Sequence, residues 1–180
     1  HHFPRALSPQ ALYICLVSGA GVQHIETIKA LRARLNDVCS ELTPTAHGAD
    51  RHLKTGLSAV DRLLAGGLCR GQLTACSGVG STSLMRPAIF QALARGDRIG
   101  LIDGGRTLYP PDWISDTGEL WVIRPPHLHD TLWATEVIAS CGAFSLTLMS
   151  TGRDDHMIPQ RWASRLRLAA KEGDTALVLL

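Results

Sequence analysis

At 180 residues the chain has the length of one ordinary domain, and 45% hydrophobic against 19% charged residues excludes a disordered polymer. A net charge of +2 is too small to mark a nucleic-acid binder, and five cysteines without a C-x-x-C pair argue against a disulfide scaffold or a structural zinc site. The apolar run at 11–22 is interrupted by Ser18, Gly19 and Gly21 and is shorter than the roughly 20 residues a membrane span needs, so the chain reads as soluble and cytoplasmic with reduced thiols. Residues 1–23 read as a leader outside the fold, and His1-His2 resemble an affinity-tag remnant. The segment HIETIKALRARLNDVCSEL predicts a helix over 24–42, in an N-terminal unit of 24–43. Ile28, Leu31, Leu35, Val38 and Leu42 recur there in steps of three and four, and Pro44 follows. This stripe is a candidate partner-docking face, the alternative being that it packs on its own domain. Polar, turn-rich residues 44–54 read as a linker.

From residue 55 onward apolar runs alternate with amphipathic stretches. Strands are expected at 72–76, 99–103, 120–123, 144–149 and 176–180, and helices at 57–64, 83–95, 129–141 and 160–172. That alternation predicts an α/β domain with a mostly parallel sheet flanked by helices. The last run, LVLL, reads as mid-sheet, so the core of 55–180 is expected to be cut short at its C-terminal end.

Residues 55–85, TGLSAVDRLLAGGLCRGQLTACSGVGSTSLM, place a strand, a loop of small residues and a helix start in sequence. Backbone N–H groups converge at such a junction and the helix dipole favours an anion. Thr55-Gly56, Val60-Asp61, Gly66-Gly67-Leu68 and Gly71 are spaced as in the RecA family, which the chain resembles from about Lys54 to its end. The resemblance implies a RecA-like sheet and a phosphate-binding loop at Gly78, Gly80, Ser81, Thr82 and Ser83.

Three chemical elements of that family are missing. A working loop reads G-x-x-x-x-G-K-[ST], its lysine holding the β- and γ-phosphates and its hydroxyl a magnesium ion. Whether Gly78 is taken as the first glycine or Gly80-Ser81-Thr82 as the G-K-[ST] element, the loop has no lysine. The family's glutamate after the second core strand corresponds to Gly105, and the aspartate ending the next core strand corresponds to Met149. The resemblance therefore implies a frame without ATP hydrolysis, with no cofactor and no metal.

A RecA-like frame behind an I-E-x-I-K-A-L-R-A-R-L helix looks like ImuA, a family of the bacterial DNA-damage (SOS) response also labelled SulA-like. That resemblance implies a non-catalytic accessory role. The implied partners are RecA, ImuB and an error-prone replicative-type polymerase in translesion synthesis, and RecA filaments would be restrained. Two rivals stay open: a divergent ATPase drawing a lysine from Lys54 or Lys171, and a cell-division inhibitor. Arg153, Arg161, Arg165, Arg167 and Lys171 surround Trp162 and form a candidate single-stranded DNA contact, although Trp162 also fits a core face with Ile158, Leu166 and Ala169. His127, His129 and Asp130 lack a third metal ligand. Asp130 is expected to cap the helix that follows.

Overall fold

The computed structural model describes residues 13–18, 21–25, 33, 37, 51–108, 118–152 and 158–180, with backbone alone for 13–25. The elements in chain order are β1 (Tyr13–Ser18), β2 (Gly21–Ile25), β3 (His52–Leu53), α1 (Ser58–Leu63), β4 (Leu68–Cys69), β5 (Leu73–Ala75) and α2 (Ser81–Ala94). They continue with β6 (Arg98–Asp103), β7 (Glu119–Arg124), α3 (Leu128–Ser140), β8 (Leu146–Ser150), α4 (Gln160–Glu172) and β9 (Ala176–Leu179).

Seven strands form one sheet in the order β2-β1-β7-β6-β8-β9-β5. The five from β7 to β5 are parallel, as the alternation of apolar runs and helices predicts, while β1 joins β7 and β2 antiparallel. Parallel strands are covered on both faces and so read as continuous apolar runs. Alternate residues then sort into two layers. Leu101, Val122, Leu148 and Val178 pack under α2 with Met85, Ile89 and Leu93. Ile102, Trp121, Ile123, Met149 and Leu177 pack under α3 and α4 with Leu132, Ile138 and Leu166. Trp121 and Phe144 meet edge-to-face at 5.4 Å in this second layer. Register between β6 and β7 is reinforced where Arg98 opposes Glu119 and donates to its Oε2 at 2.6 Å.

Several expectations need correction. Tyr13–Ser18 and Gly21–Ile25, most of them inside the segment read as a leader, are strands that pair antiparallel, and the first extends the sheet at β7. The helix expected from residue 24 begins later, because His24 and Ile25 pair with Cys15 and Ile14. Ala33 and Asp37 are helical and exposed, whereas Ile28, Leu31, Leu35, Val38 and Leu42 lie outside the described residues. The linker ends before residue 52. Leu53 is buried, and β3 pairs antiparallel with β4. Each of these two strands is two residues long, too short for a period-two alternation to mark it in the sequence.

Candidate functional site: the carboxyl edge of the sheet

The family-like motif at 55–71 forms a structural clasp. Thr55 is fully buried, and its N–H and hydroxyl both donate to Asp61 Oδ1, at 2.8 and 2.7 Å. Gly56 has φ +82°, and a side chain there would strike Gln91 and Pro87 of α2. Gly67 has φ +124°, and a Cβ on it would lie 2.5 Å from the Leu53 carbonyl. Both glycines hold a positive φ that side chains disfavour, and at Gly67 backbone also passes close to backbone. Thr55→Val leaves the Asp61 carboxylate without its hydroxyl donor. It is expected to lower stability by about 1–3 kcal/mol in urea unfolding.

The loop of interest leaves the carboxyl end of β5 and enters α2 directly. Gly80 is the residue before the first helical turn, with φ +89°, and the helix starts at Ser81 rather than Ser83. In the frame where Gly80-Ser81-Thr82 stands for G-K-[ST], the residue aligned with the lysine is thus the first of the helix. The Ser81 N–H donates to the Gly78 carbonyl at 3.3 Å, and Leu84 N–H donates to the Gly80 carbonyl at 2.9 Å. No side chain caps the helix, and its first turn holds no acidic residue. A Cβ on Gly78 or Gly80 would meet nothing within 4 Å, and Val79 is fully exposed. Residues 77–80 and Ser83 are exposed, and Ser81 and Thr82 are half-buried. The loop is therefore open, with the positive end of a helix at its mouth, and it carries no cationic side chain.

Two strands further into the sheet, backbone meets backbone at the same edge. After β6 the chain turns at Gly104-Gly105, and after β8 it passes through Thr151-Gly152. A Cβ on Gly105 would overlap Gly152 Cα and lie 2.6 Å from its N, so no side chain fits between the two segments. A Cβ on Gly104 would lie 2.5 Å from Thr131 Oγ1, in the first turn of α3. The Gly104 N–H continues the ladder by donating to the Ser150 carbonyl at 2.9 Å. Met149, the position corresponding to the family's aspartate, is 1% exposed and packs in the apolar layer under α3 and α4. Among the described residues, backbone atoms of Gly105 and Gly152 thus meet just outside the ends of β6 and β8, at the edge where α/β sheets ordinarily hold ligands.

The turn after β6 is held by a buried ion pair that the sequence reading missed. Asp103 is fully buried and accepts from Thr107 N–H at 3.0 Å, from Leu108 N–H at 3.3 Å and from Arg124 Nε at 3.1 Å. Arg124 Nη2 also donates to the Leu108 carbonyl at 2.6 Å. The available signal was two opposite charges at matching ends of apolar runs, in what became neighbouring parallel strands.

The cationic cluster is divided rather than assembled. Arg165 makes a bidentate pair with Glu136, at 2.9 and 2.5 Å, and its guanidinium lies 4.3 Å over the Trp162 ring. Trp162 is 6% exposed in the core, so its faces do not reach solvent as a base-stacking platform. Arg161 is exposed, while Arg167 and Lys171 lie on the opposite flank of α4 from Arg165, toward β5. Arg153 lies outside the described residues. Asp130 sits in the first turn of α3 and does not cap it; His127 precedes the helix with no side-chain cap bond. His129, inside the helix, faces Trp162 edge-on at 5.7 Å. Among the described residues no cluster of three metal-ligating side chains occurs and no helix is long and apolar enough to cross a membrane. Cys69 and Cys76 are free thiols.

No protein-family model matches the chain, and no curated protein matches it. A solved structure does: the crystal structure of the RadB recombinase superposes with a TM-score of 0.52 over 71% of this chain and 68% of its own, at 18% identity. With a mostly parallel sheet between helical layers and that neighbour, the chain has the RecA-like recombinase fold.

Proposed function

We propose that this chain is a RecA-like domain that works by binding rather than by hydrolysing ATP, as an ImuA-type accessory of the bacterial DNA-damage response. In this reading it meets RecA and ImuB, acts beside an error-prone replicative-type polymerase in translesion synthesis, and restrains RecA filaments. The observation that carries the non-catalytic part is the contact between Gly105 and Gly152. It leaves no room for a side chain at 105, which the family resemblance aligns with a glutamate, as it aligns Ser81 with the loop lysine and Met149 with an aspartate. A frame that keeps the shape of a RecA-like subunit but lacks a nucleotide switch is suited to dock on related subunits and stay there. The test combines ATPase assay, RecA pull-down and RecA-driven strand exchange with added protein. The expected result is no turnover, retention of RecA and slowed exchange. Failure to retain RecA together with unchanged exchange rejects the partner assignment, and turnover rejects the non-catalytic one.

A second reading keeps nucleotide binding without hydrolysis. The open loop at 76–80 favours it, since nothing crowds Gly78 or Gly80. Titration with a fluorescent ATP analogue and magnesium separates the two, micromolar affinity supporting the second.

A further inference from the structure

We draw no further inference here: the strongest candidate, the open loop at 77–80 ahead of α2 with the fully exposed Val79 at its tip, belongs to the site already described, and nothing in the structure shows what covers it.

Discussion

Ser81→Lys combined with Gly105→Glu, which reinstates two of the missing chemical groups, is expected to turn over no ATP. The two substitutions should act in opposite directions. Ser81 lies in the first turn of α2 beside an uncrowded loop, so a lysine there can reach an anion at the helix end without displacing anything. Ser81→Lys alone should therefore tighten Mg-ATP binding by about tenfold, about 1.4 kcal/mol. Gly105→Glu meets a different environment. Its first side-chain atom would overlap Gly152 Cα, and the obstacle is backbone, not a side chain that can rotate away. Accommodating it requires the segments after β6 and β8 to separate, which strains the ladder bond from Gly104 to Ser150. A loss of about 3 kcal/mol is expected. Gly105→Ala should cost nearly as much, because the clash is at Cβ. Thermal unfolding of both variants, with turnover measured below their transitions, checks the pair. Measurable hydrolysis in the double variant would show that the segments carrying Gly105 and Gly152 separate and would count against the proposed non-catalytic role.

Arg124→Ala is expected to lower stability by about 3–5 kcal/mol, the cost of leaving a buried carboxylate without its charged partner. Asp103 is fully buried, while Arg124 is 29% exposed, so the penalty falls on the aspartate. Loss of the guanidinium also frees the Leu108 carbonyl, which accepts from Arg124 Nη2. The double variant Asp103→Ala with Arg124→Ala should be less destabilised than the sum of the two single changes, since it removes the stranded charge as well. Chemical unfolding of the three proteins gives the coupling directly. Additive losses would mean that the pair does not act as a unit. The interaction also fixes the course of 104–108, so it indirectly positions Gly105 against Gly152. The buried ion pair and the Gly105–Gly152 contact are parts of one arrangement.

The sequence by itself determined the fold class and most of its pieces. Apolar runs of four to six residues separated by amphipathic stretches dictate buried parallel strands and covering helices, because each burial pattern has its own period. The missing lysine was equally legible, since a one-dimensional motif either contains a charge or does not. Three further features were decided only by the tertiary structure. The hairpin at 13–25 acquires its place by pairing with β7, a partner about a hundred residues away, and no local signal distinguishes such a strand from a leader. The cations around α4 are neighbours in the chain but lie on opposite flanks of a helix, so proximity in sequence misrepresented them as a patch. Most consequentially, a glycine at 105 reads in sequence as a lost glutamate and nothing more. Only the approach of Gly152 shows that position 105 has no room for any side chain, because a close contact between backbones belongs to two segments at once and is written in neither.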